Sequence, residues 1–314
     1  IRGEALRGAD HHTGHAPSVL QRGQMMKALV LGSGGMLGTD LTALWNPRME
    51  LSVFPHSACD VSNRSQVKAV MNRERPDLVL MLAAATDVDR CQTDHEYAFR
   101  TNAVGAEIVA QECRSSGAEL VYLSSIAVFS GEKDSPYNEY DIPEPCNVYG
   151  MSKFHGEVAV RTFCPAHWIV RTGWLFGGGV RDMKFVAKIL GKISLNHEIK
   201  VVRDCVGSPT YTQDLAGGIL DLVKNFQYGT YHLVNGGVPA SRYELARETL
   251  KIARRSPDLI LPCLSSDFHL PAPRPKMEAA ESIKLNMGDN PLRLPDWRES
   301  LSRYINGTLE ELIR

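Results

Sequence analysis

No two of the seven cysteines form a Cys-x-x-Cys pair; they lie scattered at 59, 91, 113, 146, 164, 205 and 263. An odd, scattered set offers neither a disulfide framework nor the ligand spacing of a zinc site, and it suits a reducing, cytoplasmic compartment. No run approaches the roughly 18 consecutive apolar residues of a membrane span. A dominant charge is missing too: 35 basic and 36 acidic residues leave a formal net charge of -1. Nothing in bulk electrostatics therefore draws the chain to nucleic acid or to an anionic membrane. Residues 1–24, rich in Gly, Arg and His, lack the apolar core of a signal peptide and precede Met25-Met26. His11, His12 and His15 have metal-binding chemistry, but the stretch reads as an expression remnant or unstructured leader, and no metal site is expected.

What the 314 residues do contain is an alternation of short apolar runs and amphipathic stretches, 43% apolar and 23% charged in all. That is enough for one large α/β domain or two smaller ones. Residues 27–31 read as a strand that stops at Gly32-Ser-Gly-Gly35-Met36-Leu37-Gly38, and a helix follows over 37–44. Strand, glycine turn, helix is the setting in which such a motif binds a dinucleotide. Glycine lets the backbone approach the pyrophosphate, which then lies at the positive N-terminus of the helix. A ligand-free glycine turn is the plainer alternative. Further strands are expected at 51–54, 77–82, 120–123 and 168–170, and helices at 65–73, 97–116 and 148–161. This alternation predicts a Rossmann-like, doubly wound parallel sheet. Ligands bind such sheets at the carboxyl ends of the strands, where Gly32, Ala83, Ser125 and Arg171 fall.

After Arg171 the pattern loosens. Gly177-Gly-Gly179 breaks the chain, 185–192 reads as a helix and 199–202 as a strand. A loop follows at 207–210, then helices at 213–224 and 242–254, a proline-rich stretch at 271–275 and a last helix from Trp297. These shorter units suit a smaller α/β substrate-binding lobe. The expected division assigns 25–173 plus about 211–234 to the dinucleotide domain, and about 174–210 plus 235–314 to the lobe.

The chemistry centres on Tyr149-Gly-Met-Ser-Lys153. Residues four apart share a helix face, so phenol and ammonium can point into one cleft. A free phenol titrates near pH 10, and a nearby cation lowers that value. Such a tyrosine can protonate a carbonyl oxygen while hydride reaches the carbon. Among ten tyrosines a chance Tyr-x-x-x-Lys on a solvated helix is a fair alternative.

The glycine turn, a serine at a strand end and Tyr-x-x-x-Lys on the next helix together resemble the extended short-chain dehydrogenase/reductase family. Within it, the chain is most similar to reductases of nucleotide-activated 4-keto-6-deoxysugars that feed polysaccharide synthesis. The stretches that carry this are Leu82-Ala-Ala-Ala-Thr-Asp-Val-Asp89, Ser124-Ser-Ile-Ala-Val-Phe129, Val148-Tyr-Gly-Met-Ser-Lys-Phe-His-Gly-Glu157, Arg171-Thr-Gly-Trp-Leu-Phe176, Val206-Gly-Ser-Pro-Thr210, Tyr231-His-Leu233 and Arg274-Pro275. The resemblance implies that Ser125 hydrogen-bonds the substrate carbonyl, that Tyr149 donates the proton, and that Lys153 holds the nicotinamide ribose and lowers the Tyr149 pKa. It places Gly32, Gly35, Met36, Leu37, Asp60, Val61, Ala83 and Ala84 at the coenzyme, with Asn102 in support. It places Thr86, Val88, Trp174, Ser208 and Arg274 at the substrate, although core packing or a solvated surface explains a lone Trp or Arg almost as well. Ala127 stands where these reductases carry tyrosine, Gln92 where an acidic residue is common, and Gly173 where serine is usual. These departures bear on which sugar is bound.

An acidic residue some 20 positions past the glycines would hold the ribose 2′-hydroxyl of NAD. Val53-Phe-Pro-His-Ser57 carries none, and no arginine stands there either. NADPH is the expected coenzyme, with NADH tolerated. The expected partners are a nucleotide-sugar substrate and a second copy of the chain in a homodimer. An epimerase or dehydratase of the same superfamily, or a non-catalytic NADP-binding regulatory subunit, are the rival readings. Ile126 and Ala127 replace the acidic residue that a dehydratase carries after its hydroxyl, and the intact Ser125, Tyr149 and Lys153 argue against a binding-only role.

Overall fold

In the core strands, successive side chains enter two different apolar layers. Ala28, Val30, Leu78, Leu80, Val121 and Trp168 pack into one; Leu29, Leu31, Val79, Met81, Leu120 and Ile169 pack into the other. A strand buried on both faces reads as a continuous apolar run and needs a helix layer on each side. The computed structural model, which describes residues 26–45, 49–193, 198–287 and 290–313, has that architecture. The leader expected at 1–24 lies outside the described residues.

Six strands, β1 (Lys27–Leu31), β2 (Glu50–Phe54), β3 (Leu78–Met81), β4 (Glu119–Ser125), β5 (His167–Thr172) and β6 (Gly229–His232), form one parallel sheet in the order β6-β5-β4-β3-β1-β2. The helices are α1 (Met36–Trp45), α2 (Arg64–Glu74), α3 (Val88–Thr93), α4 (His95–Phe99), α5 (Gly105–Ser116), α6 (Val148–Phe163), α7 (Phe185–Ile193), α8 (Thr212–Asn225), α9 (Arg242–Ile252) and α10 (Trp297–Ile313). α1 and α8 cover one face, where Trp45 Nε1 donates to the Ala216 carbonyl at 3.0 Å; α2, α5 and α6 cover the other. Burying each large side chain of these layers contributes about 1.5–3 kcal/mol.

β1 lies between β2 and β3, so the winding direction changes there and a crevice opens at the strand ends. Gly32 closes β1 at φ +90°, and a Cβ there would lie 2.4 Å from the Ala83 nitrogen. Glycine is what lets the ends of β1 and β3 approach.

The single helix expected over 97–116 is instead α4, a π turn over Arg100–Val104, and α5. The widened turn accompanies a side chain that bonds away from the helix. Asn102, fully buried, accepts from the Ala85 nitrogen (2.9 Å) and donates to the Ala85 carbonyl (3.0 Å) and to Ser152 Oγ (2.9 Å). Such π turns recur at functional sites. α3 and β6 were not anticipated from periodicity: β6 reads Gly-Thr-Tyr-His and is a strand because it pairs with β5 at the sheet edge.

The remaining elements gather around a separate apolar cluster that includes Phe176, Leu190, Tyr211, Leu245, Trp297 and Tyr304. Here Ile199–Val202 pairs in parallel with Ile260–Cys263. Val206–Gly207 lies between Ala240–Ser241 (antiparallel) and Met277–Glu278 (parallel).

Candidate active site

The glycine turn is built for close approach. Gly38 packs against the turn itself, since a Cβ there would lie 2.6 Å from Ser33 Cα. Gly35, at the start of α1, is exposed, and a Cβ there would meet only the Gly32 carbonyl at 3.6 Å. Backbone amides at a helix N-terminus with open space in front make a seat for a pyrophosphate. Met36 is half-buried and Leu37 is core. From the segment after β5, Gly178 abuts Met36, and Arg181 Nη1 donates to the Gly34 carbonyl at 3.0 Å. Asp60 accepts from the nitrogen (2.9 Å) and hydroxyl (2.8 Å) of Ser62, and Val61 is buried against Gly105. Gly35→Asp adds bulk and a like charge at that seat, so dinucleotide affinity should fall below detection while the thermal melt stays near parental. Unchanged affinity by fluorescence titration would remove the glycine turn from the site.

Ser125 ends β4 in register with Thr172 of β5, and its Oγ accepts from the Ala127 nitrogen at 3.1 Å. After a short turn at Ile126–Val128 and a loop, α6 begins at Val148, capped by the Asn147 side chain on the Gly150 nitrogen (2.8 Å) and by Gln92 on the Val148 nitrogen (3.1 Å). Gly150 brings the helix against the serine turn: a Cβ there would lie 2.0 Å from the Ala127 carbonyl. Gly156, six residues on, lets the helix approach the Asn102 carbonyl and the Tyr122 hydroxyl, each 2.2 Å from its would-be Cβ. Tyr149, next to Gly150 on α6, is thereby set beside the turn that follows Ser125.

Burial pushes the Tyr149 phenol up to about 12, against the hydrogen bond from Ser125, which lowers it. Burial pulls the Lys153 ammonium down to about 7, against the Glu157 carboxylate one turn on. The sequence-based expectation that Lys153 lowers the Tyr149 pKa is corrected here. Lys153 Nζ lies 4.2 Å over the Tyr122 ring, and burial governs the phenol. An amine that titrates near neutrality is a weak electrostatic neighbour.

Lys153 is 1% exposed, and its Nζ has no hydrogen-bond partner among the described residues; the buried Thr172 Oγ1 beside Ser125 also has none. A buried unpartnered amine is costly. Together with the open glycine turn, it fits a dinucleotide whose ribose hydroxyls would receive its donors. Beneath it lies a network that the sequence did not reveal. Glu157 takes a bidentate pair from Arg171 (2.8 and 2.7 Å), and also accepts from Ser124 (2.6 Å) and Arg161 (2.6 Å). His232, pulled to about 4 by burial, completes it next to Arg171.

The expected substrate residues have separate partners. Ala83 and Ala84 lie half-buried after β3; Thr86 is exposed and accepts from Lys184 Nζ at 3.2 Å; Val88 opens α3. Arg274 is paired with Asp89 (2.8 Å) and donates to the Ala272 carbonyl (2.8 Å). Ser208 is 5% exposed, and its hydroxyl bonds the Ala280 backbone, a packing contact. Trp174 is half-buried at φ +45°.

A doubly wound sheet with this serine, tyrosine and lysine at its carboxyl edge defines an extended short-chain dehydrogenase/reductase. More narrowly, the chain belongs to the RmlD substrate binding domain family, which matches residues 26–309. It is 36% identical over 298 residues to dTDP-4-dehydrorhamnose reductase of Mycolicibacterium smegmatis, covering 94% of this chain and 88% of that protein. It is 32% identical to the spore coat polysaccharide biosynthesis protein SpsK of Bacillus subtilis, covering 90% and 97%. The crystal structure of dTDP-4-dehydrorhamnose reductase from Bacillus anthracis in complex with NADP superposes with a TM-score of 0.86 at 34% identity, covering 91% of this chain and all of that one. Among the described residues no helix is long and apolar enough to cross a membrane.

Proposed function

We propose that this chain is an NAD(P)H-dependent reductase that converts the keto group of a nucleotide-activated 4-keto-6-deoxysugar to an alcohol, as its dTDP-4-dehydrorhamnose reductase relatives do by name. The observation that carries this reading is the buried Lys153 Nζ, without a hydrogen-bond partner among the described residues, one helical turn from Tyr149. NAD(P)H, when bound, supplies a hydride to the sugar carbonyl carbon. Ser125 hydrogen-bonds the carbonyl oxygen and fixes its distance from Tyr149. Tyr149, with its pKa well above neutrality, enters the step protonated and gives its proton to the new alkoxide oxygen. Lys153 holds the ribose, and Asn102 fixes the loop at Ala85 that borders the coenzyme. Trp174 and Arg274 are assigned to the sugar nucleotide, with Thr86 and Val88 at the mouth. Residues 25–173 and 211–234 hold the dinucleotide, and 174–210 with 235–314 hold the substrate. Support comes from Gly229–His232 adding to the main sheet while the short ladders form elsewhere. The chain works in the cytoplasm as a homodimer; the exposed Met151 and Val158 on α6 suit a partner copy. Purified protein given NADPH and a panel of dTDP-, GDP-, UDP- and CDP-keto-sugars tests the reading: no turnover of any would reject it.

NADPH is preferred over NADH. The loop after β2 has no carboxylate to repel a 2′-phosphate, and Arg181 brings a guanidinium from the other lobe to the adjoining glycine turn. A carboxylate introduced by Ser57→Asp should repel the phosphate and pair with the free ribose hydroxyl. We expect the NADPH-to-NADH ratio of kcat/KM to fall by about tenfold or more, the equivalent of 1.4 kcal/mol. Strict NADH use by the parent protein would overturn this reading of the loop.

A further inference from the structure

Trp174 is one of three non-glycine residues with positive φ among the described residues, and the bulkiest of them. Left-handed backbone under an indole is unfavourable and persists only where surroundings over-determine it. Three contacts do so here. One face of the indole rests on the backbone of Gly207, where a Cβ would lie 2.3 Å from Trp174 Cε2. The Arg242 guanidinium stacks on the ring with its carbon 3.5 Å from the centroid. The indole Nε1 donates to Glu278 Oε2 at 2.9 Å.

The three contacts come from one small ladder. Glu278 pairs with Gly207 in parallel, Gly207 pairs with Ala240, and Arg242 starts α9 two residues on. The ladder abuts the catalytic turn, because a Cβ on Gly173 would touch Ile126 Cγ1 at 3.7 Å and the Glu278 carbonyl at 3.8 Å. The Glu278 side chain is half-buried, and its charge acts on both the Tyr149 phenol and the Arg242 guanidinium. Glu278 therefore lies next to the turn after Ser125, close enough for its charge to act on the proton donor.

We infer that Glu278 is a positioning residue for sugar recognition: it locks the Trp174 indole, clamped between Arg242 and Gly207, as the fixed wall of the pocket opposite Tyr149. The inference rests on the reductase reading of the site. A hexose ring presents an apolar face that a flat indole can cover, and a wall that does not rotate discriminates between epimers better than one that does.

The test is a double-mutant cycle between Glu278→Leu and Trp174→Phe, with Glu278→Gln as the conservative partner. The amide oxygen of Gln still accepts the indole N–H, so Glu278→Gln should keep KM for the keto-sugar near parental. Glu278→Leu should raise that KM by about tenfold, the equivalent of one hydrogen bond to a charged group, with a smaller change in kcat and none in NADPH affinity. In the Trp174→Phe background the same change should add nothing further, because both residues act through one wall. Trp45, Trp168 and Trp297 are 0, 0 and 1% exposed, so acrylamide quenching of tryptophan fluorescence reads Trp174, and Glu278→Leu should increase it. Additive effects in the cycle, equal damage from Gln and Leu, or unchanged quenching would each overturn the proposal. If the parent reduces no keto-sugar, the reductase reading has failed; the quenching arm still decides whether Glu278 locks the indole.

Discussion

Tyr149→Phe should lower kcat for keto-sugar reduction by about a hundred- to ten-thousandfold, the usual loss when a general acid is removed. The substitution keeps the ring that packs against the cluster of Ala85, Cys91, Ala98 and Val148 and deletes only the hydroxyl. Coenzyme affinity and melting temperature should stay near parental. The pH dependence has a definite sign. With the phenol pushed up to about 12, Tyr149 is protonated throughout the neutral range. Reduction should show no loss between pH 6 and pH 9 from deprotonation of this group. Oxidation of the alcohol needs the phenolate and should rise with pH across the same window. Steady-state kinetics in both directions check this, and a Phe variant that turns over keto-sugars at near-parental rates would remove Tyr149 from the chemistry.

The half of the chain that carries this chemistry was legible because its signals are local. A five-residue apolar run, a glycine turn and an amphipathic helix each fit in one window, and β1 and α1 fall within a residue or so of where they were expected. Tyr149 and Lys153 share a helix face by spacing alone. What spacing cannot show is how closely α6 approaches its neighbours. Gly150 and Gly156 are unremarkable in a helix pattern, yet each sits where a single methyl group would collide with backbone oxygen. The chain after β5 was hardest to read because most of its strands there are two residues long and their partners are remote: Val206 pairs with Ser241 on one side and Met277 on the other. No periodicity survives in two residues, and the Trp174–Glu278 bond spans 104 positions. The electrostatics of Lys153 was misread for a related reason. Distance to Tyr149 follows from helix geometry, but burial of the amine depends on the Tyr122 ring of β4 lying against it.

That burial makes Lys153→Met a variant with two opposed outcomes. Methionine has nearly the same length and no donor, so it fills the same space without a buried, unpartnered amine. Removing an unsatisfied buried polar group returns about 1–3 kcal/mol, and the variant should melt several degrees above the parent. Its affinity for NADPH and its activity should both fall, because the donors meant for the ribose are gone. The stability gain also depends on pH. The Lys153 pKa is about 7 in the folded chain and near 10.4 in an unfolded one. Between those values the unfolded chain holds more protons, so parental stability rises with pH across the window and is lost as pH falls through 7. Methionine has no such dependence. The melting-temperature advantage of the variant should be largest near pH 6, shrink steadily above pH 7 and be smallest near pH 10. Paired thermal melts of parent and variant at pH 6, 8 and 10 measure this directly. A destabilised variant, or an advantage that grows with pH, would mean that Lys153 is already satisfied in the folded chain and is not held in reserve for a ligand.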